Sequence, residues 1–399
     1  VRMIAPPVPL AERTALNWLT PAWLCVIAGL GLSLLGIYSI DLGADTRTAA
    51  AAPGLSALAA RQAVFLGVGL LAAGLVIWPH ARVLRMLAWP ALAVCILLLL
   101  VLLLPFVPSW LVAPRKGVRG WIDLGPLDLQ PAEFAKIAFT LAAADYLRYR
   151  KNHRTVLGLL PPAILTFIPV GLIVLQPDMG TALMFVPAIF AMLVAAGARV
   201  RHMLMVVIIG LCAAPASYPL LHDYQKQRII GLLAQFRGEK HTSDDLNYQA
   251  YTAQTVLGAG GLTGLPEAHS RAVIRYAELP ERHNDMIFAV IVNRFGLVGG
   301  IAVLAAYGLW LGGALLAAAA CREAFGRLVI VGLSAILAVQ AVINIGMVIG
   351  LLPIVGLTLP FVSYGGSSML AMWLTTAVVV SISLRPPPRL SRPGLQFDD

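Results

Sequence analysis

Apolar residues fall into ten blocks, near residues 21–40, 62–78, 86–104, 131–147, 158–175, 180–198, 203–220, 286–318, 328–349 and 366–384. About twenty apolar residues of helix cross a bilayer, so each block predicts a transmembrane helix. An even number of spans puts both termini on one side. Every short segment on that side is basic: Arg82 and Arg85, then Arg148, Arg150, Lys151 and Arg154, then Arg199 and Arg201, then Arg322 and Arg327, then Arg385, Arg389 and Arg392. The positive-inside rule makes that side cytoplasmic. The outer face then receives residues 41–61, 105–130, the long loop 221–285 and the Pro/Gly-rich 350–365.

Composition agrees with the pattern. Of 399 residues, 59% are hydrophobic and 12% charged, against about 25% charged in soluble domains. The expected fold is all-α: a single polytopic integral membrane domain over residues 1–399, with about ten transmembrane helices. It has a large outer loop, 221–285, between spans seven and eight, a re-entrant outer loop before span ten, and a cytoplasmic tail at 385–399. The first residues lack the short apolar core and small-residue cleavage site of a signal peptide, so the first span is expected to be retained. The net charge of +10 is spread over the ends of the spans, which speaks for topology rather than nucleic acid. Cys25, Cys95, Cys212 and Cys321 have no metal-ligand spacing and read as buried small hydrophobes, with no disulfide. In the long loop, Tyr248, Tyr251, Thr255 and Val256 recur at helical spacing, which suggests a helix along the membrane surface, with an ordinary connecting loop as the alternative.

Four polar motifs fall on the predicted outer face. In Leu279–Phe288, LPERHNDMIF, His283 and Asp285 stand at the mouth of the eighth span. An ionisable group there is costly to leave unsolvated, so Asp285 is the first candidate for chemistry, with a helix cap as the alternative. Further along lie Asn293 and Arg294, about two helical turns in; Arg294 would lower the pKa of a nearby Asp285 or bind a pyrophosphate. In Gly117–Lys136, Trp121 suits an interfacial belt, and the planar fork of Arg119 suits a phosphate. Glu133 and Lys136, three apart on one helix face, are expected to pair. In Gln176–Thr181, QPDMGT, Asp178 is placed to cap the sixth span or to serve the site. In Asn344–Ser368, Pro353, Pro360, Gly350, Gly356, Gly365 and Gly366 break helix where the chain otherwise reads as membrane-buried. Such backbone is tolerated only where protein or water satisfies it, hence a re-entrant loop lining a cavity, with Ser363 and Tyr364 offering hydroxyls. P-loop, dinucleotide and zinc spacings are absent from the sequence.

Taken together, these motifs make the chain similar, over nearly its full length, to the shape, elongation, division and sporulation (SEDS) family typified by RodA, FtsW and SpoVE. The resemblance implies a peptidoglycan glycosyltransferase that polymerises lipid II, the undecaprenyl-linked disaccharide-pentapeptide, into glycan strands. That activity belongs to the outer face of the bacterial cytoplasmic membrane, in elongation, division or sporulation, and a class B penicillin-binding protein is the usual partner. The resemblance also suggests a divalent cation, Mg or Mn. It places the essential aspartate at Asp285 and further functional positions at Arg119, Trp121, Glu133, Lys136 and Asp178. In this chain His283-Asn284-Asp285-Met286 and Asn293-Arg294 replace the family's usual HTDFIF and following Glu-Glu pair. A lipid II flippase is the rival reading. A flippase needs a polar path on both faces, whereas here the acids, the tryptophan and the broken loop gather on one. A scaffold that only recruits a penicillin-binding protein would have no need of intramembrane charges.

Overall fold

The computed structural model describes residues 20–44, 55–79, 81–108, 110–112, 114, 117–125, 128–150, 155–217, 226 and 246–385. The N-terminal stretch, the tail beyond Arg385, Lys151, Arg154 and most of the first half of the long loop lie outside them. The described residues form thirteen α-helices, a short 3-10 helix at Leu157–Leu159 and one small hairpin. The helices are α1 (Trp23–Leu42), α2 (Ala57–Ile77), α3 (Ala81–Leu103), α4 (Pro131–Leu147), α5 (Leu160–Leu175), α6 (Met179–Leu183), α7 (Phe185–Ala195), α8 (Val200–Ser217), α9 (Leu246–Ala259), α10 (Glu267–Tyr276), α11 (Ile287–Ala320), α12 (Ala324–Val348) and α13 (Gly366–Ser383). In the hairpin, β1 (Ile122–Asp123) pairs antiparallel with β2 (Asp128–Leu129).

Seven of the helices are long and apolar enough to cross a membrane, and the chain is a multi-pass membrane protein. The apolar stretches Met179–Ala195 and Val200–Ile209 and the 17-residue α4 supply the other three expected spans. The sixth span is split at Met184 into α6 and α7. Pro187 has no N–H to offer the carbonyl four residues back, so the helix restarts there with proline in its first turn. In the helical packing, α13 lies on α2, α1 on α11, α3 on α4, and α12 on both α7 and α11.

The eighth span is not one helix. Gly296 sits at φ +69°, ψ −166° and divides α11. The amides freed at the break are taken by the Gly258–Gly264 segment: Leu297 N donates to Gly261 O at 2.9 Å and Val298 N to Leu262 O at 3.3 Å, while Leu265 N donates to Asn293 O at 3.0 Å. The two backbones touch: a Cβ on Gly264 would fall 2.2 Å from Arg294 O, and one on Gly296 2.3 Å from Leu262 O. The front piece of α11 is buried from Ile287 to Asn293. The piece after Gly296, 24 residues and roughly 36 Å of helix, is ample for a bilayer.

Two expectations change here. The helix foreseen in the long loop forms, as α9, but its buried face is Ala250, Ala253 and Val256, with Tyr251 70% exposed. Small residues let α9 lie close against α11, which the bulkier tyrosine stripe would prevent. Cys25 and Cys95 are buried as expected, whereas Cys212 is exposed and Cys321 half-buried. Cys321 follows the last turn of α11, where the chain leaves the core.

Candidate active site

Between α12 and α13, residues 349–365 form an irregular loop with Gly350, Gly356, Phe361 and Gly365 at positive φ. Non-helical backbone inside an apolar bundle must find partners within the protein, and here it does. Gly36 of α1 comes so close that a Cβ would fall 2.4 Å from Val362 O. The Gln62 side chain of α2, fully buried, donates to Ser363 O at 3.0 Å and accepts from Gly365 N at 3.1 Å. Phe361 holds a left-handed φ of +64°, a conformation that costs a bulky residue on the order of 1–3 kcal/mol. Its ring is 1% exposed and meets Trp373 edge-on at 5.8 Å, so burial of the aromatic face offsets that cost.

The loop meets the turn that carries Asp285. Tyr364 N donates to His283 O at 2.8 Å, and Ser363 Oγ donates to Asn284 O at 2.6 Å while accepting from Leu359 N at 2.7 Å. Asn344 of α12 donates to Asp285 O at 2.9 Å and to Leu357 O at 2.6 Å. Asp285 itself is 8% exposed, and a Cβ built on Gly356 would stand 3.9 Å from its Oδ2. The capping alternative for Asp285 does not apply, since the N-cap of α11 is Met286 and no side chain caps it. His283 lies beside Gly43 at the end of α1, whose missing Cβ would fall 3.2 Å from the ring.

A second buried group stands on α4. Lys136 Nζ is 2.8 Å from Glu133 Oε1, with both residues almost fully buried, and it also donates to Gln340 Oε1 at 3.1 Å. Gln340 Nε2 in turn donates to Thr358 O at 3.0 Å. Asp178 caps α6 through Thr181 N at 3.0 Å and accepts from Gln130 Nε2 at 3.4 Å. Burial pushes its carboxyl above the usual range, against the Thr181 hydrogen bonds that lower it. Gln130 N donates to Ser367 Oγ at 3.0 Å, and Ser367 donates onward to Asp128 O, which ties the hairpin to the start of α13. Trp121 and Arg119 lead into that hairpin, both half-buried, with Arg119 Nε buried and lacking a hydrogen-bond partner.

The structure therefore joins Asp285, His283, Ser363 and Tyr364 directly and connects Glu133, Lys136 and Asp178 to them through Gln130, Gln340 and the loop. Ser363 does not offer a free hydroxyl, because its one hydrogen goes to Asn284 O; it holds the loop. Arg294 does not turn towards Asp285: its Nε donates to Tyr38 Oη at 3.0 Å and an Nη to Leu265 O at 3.0 Å. Asn293, fully buried, donates to Val256 O and accepts from Ser270 Oγ, both at 2.7 Å. The Asn293-Arg294 pair thus fastens the long loop. Sequence reasoning missed Gln62 and Gln340, and it quoted Asn344 only as the start of a motif. The signal was available: a carboxamide within an apolar span needs partners.

The family described as "Cell cycle protein", that of FtsW, RodA and SpoVE, matches residues 20–386. The chain is 32% identical over 327 residues to Stage V sporulation protein E of Bacillus subtilis (strain 168), covering 82% of this chain and 86% of that protein. It is 36% identical over 274 residues to the peptidoglycan glycosyltransferase MrdB of Escherichia coli (strain K12), covering 68% and 72%. Among solved structures it superposes with a TM-score of 0.76 and 32% identity on a chain from work on "structural coordination of polymerization and crosslinking by a peptidoglycan synthase complex", over 92% of this chain and 98% of that one. With the rod shape determining protein RodA of Thermus thermophilus the TM-score is 0.66 at 31% identity, over the same shares. The family match runs from residue 20 to residue 386 and so takes in every helix described above: the chain belongs to the FtsW, RodA and SpoVE family of cell cycle proteins.

Proposed function

We propose that this chain is a peptidoglycan glycosyltransferase that polymerises lipid II on the outer face of the cytoplasmic membrane, with Asp285 as general base. The observation that carries the reading is a nearly buried carboxylate held by its own backbone against an irregular loop, inside a chain of this family. An ionisable group at that depth in a membrane chain is a candidate for function, and the loop set against it supplies a fixed wall for a substrate.

In the reaction the C4 hydroxyl of the acceptor disaccharide attacks C1 of the donor. The new C1–O bond forms as the bond from C1 to the lipid pyrophosphate breaks. Asp285 takes the hydroxyl proton as the oxygen becomes bonded, then releases it to the departing phosphate or to water. Arg119, with an unpartnered buried Nε, is suited to the pyrophosphate charge. Trp121, His283 and Tyr364 border the path for the sugars, while Glu133, Lys136 and Asp178 hold the loop and the hairpin around it. Among the described residues no three His, Cys, Asp or Glu side chains converge. A divalent ion, which the family resemblance suggests, would bind chiefly through the phosphates of the substrate, and when bound it would supply positive charge to the leaving group. The proposed partner for crosslinking is a class B penicillin-binding protein, a reading supported by the likeness to a chain from a peptidoglycan synthase complex.

Gel-resolved polymerisation of lipid II by the purified chain, with and without such a partner and with divalent ion, tests this reading. Ladders are expected from the native chain and none from Asp285→Ala at unchanged thermal stability; turnover in that variant would remove Asp285 as the base. Translocation of labelled precursor without ladders would favour a flippase.

A further inference from the structure

We propose that Gln340 and Asn344 form a positioning clamp that sets Asp285 in register with the buried Glu133–Lys136 pair. The inference rests on the reading of Asp285 as the base.

The two carboxamides lie one turn apart on α12, on the same face, and both are fully buried. Their donors take the carbonyls of two successive loop residues: Asn344 holds Leu357 O at 2.6 Å and Gln340 holds Thr358 O at 3.0 Å, with Thr358 Oγ1 at 3.3 Å. Each then reaches a different residue of the site, Gln340 at a side chain and Asn344 at the backbone. Gln340 Oε1 accepts from Lys136 Nζ at 3.1 Å, and Asn344 Nδ2 also donates to the carbonyl of Asp285 at 2.9 Å.

The orientations are forced by chemistry. An ammonium only donates and a carbonyl only accepts, so Gln340 must turn its oxygen to Lys136 and its amide to Thr358. Both hydrogens of the Asn344 amide are committed to carbonyls, while its Oδ1 is buried with no hydrogen-bond partner. Leaving that acceptor unpaired costs free energy, and what is gained is a donor bridging Asp285 to the loop. Gly356, next to Leu357 in the loop, stands against the Asp285 carboxylate: a Cβ there would lie 3.9 Å from Oδ2. Moving either carboxamide therefore moves the wall opposite the carboxylate. A general base off by a fraction of an ångström loses rate more than binding.

The test is steady-state polymerisation of lipid II by the full chain with its class B partner, on Gln340→Met, Gln340→Glu, Asn344→Leu and Asn344→Asp. Gln340→Met and Asn344→Leu are expected to lower kcat by about tenfold or more with KM within about twofold. Their double variant is expected to be little worse than either single one, because both act through one loop. Gln340→Glu keeps the acceptor for Lys136 and loses the donor for Thr358, and is expected to fall with the others. Asn344→Asp presents a carboxylate to two carbonyls; only its protonated form can donate, so its kcat relative to the native chain should rise as pH is lowered from about 8 to about 6. Should the leucine variant fail to fold, Asn344→Asp carries the test.

Native kcat in Gln340→Glu, or an Asn344→Asp ratio flat with pH, would overturn the clamp. So would losses of kcat and KM that track thermal stability alone. Asp285→Ala, run alongside, separates the two readings: if it is inactive while the clamp variants keep native kcat, the clamp fails and the base stands. If it turns over, the base itself is lost.

Discussion

Lys136 is 2% exposed and its ammonium has two partners, Glu133 and Gln340. Removing one member of a buried pair leaves a charge without compensation and costs about 3–5 kcal/mol. Lys136→Met is expected to lose stability on that scale by thermal unfolding in detergent, and adding Glu133→Gln should recover much of it. A lone Lys136→Met at native stability would show that the pair is hydrated. This pair was legible in the sequence, as was the cap at Asp178, because both rest on residues three apart along one helix. The partners of Asp285 were not. Asn344 and Gly356 lie some sixty to seventy residues further along the chain, and nothing in local spacing reports which carbonyl a carboxamide will reach. Arg294 was misjudged for the same reason. Its distance from Asp285 along the helix could be counted, but its direction, towards Tyr38 and the Leu265 carbonyl, is set by the fold.

At the scale of elements, the break at Gly296 divides the eighth span into a buried front piece and a crossing helix. The sequence is apolar on both sides of Gly296, so its pattern reads as one long span. Only the length hinted otherwise, since 34 residues make roughly 51 Å of helix, well beyond a bilayer. Gly264 and Gly296 each face opposing backbone with no room for a methyl group. Gly264→Ala is expected to loosen the joint: amide exchange in α9 and α10 should quicken by about tenfold or more relative to α12. Unchanged exchange would mean that the joint bears no load. Arg294→Gln, in contrast, should leave the pH–rate profile of polymerisation where it is, because the guanidinium is spent on Tyr38 and the Leu265 carbonyl. A shifted acid limb would put its charge back within reach of Asp285.

The whole molecule was the most legible level, since span number and class follow from block length alone. Sidedness rests on the basic loops and can be read directly. Tyr149, after α4, and Tyr276, at the end of α10, are 78% and 87% exposed. With native cysteines replaced, Tyr276→Cys is expected to react with an impermeant maleimide on intact spheroplasts, and Tyr149→Cys only after lysis; the reverse would invert the topology. The loop that faces Asp285 is gripped by Gly36, Gln62, Asn284, Gln340 and Asn344, contributors scattered from the first helix to the twelfth. During synthesis, a nascent chain that has reached only Val348 already contains Asp285, Glu133 and Lys136, yet has no wall to set against them. The wall is therefore added last of these parts, and a copy cut short at Val348 is expected to insert its earlier spans yet form no ladders in the polymerisation assay.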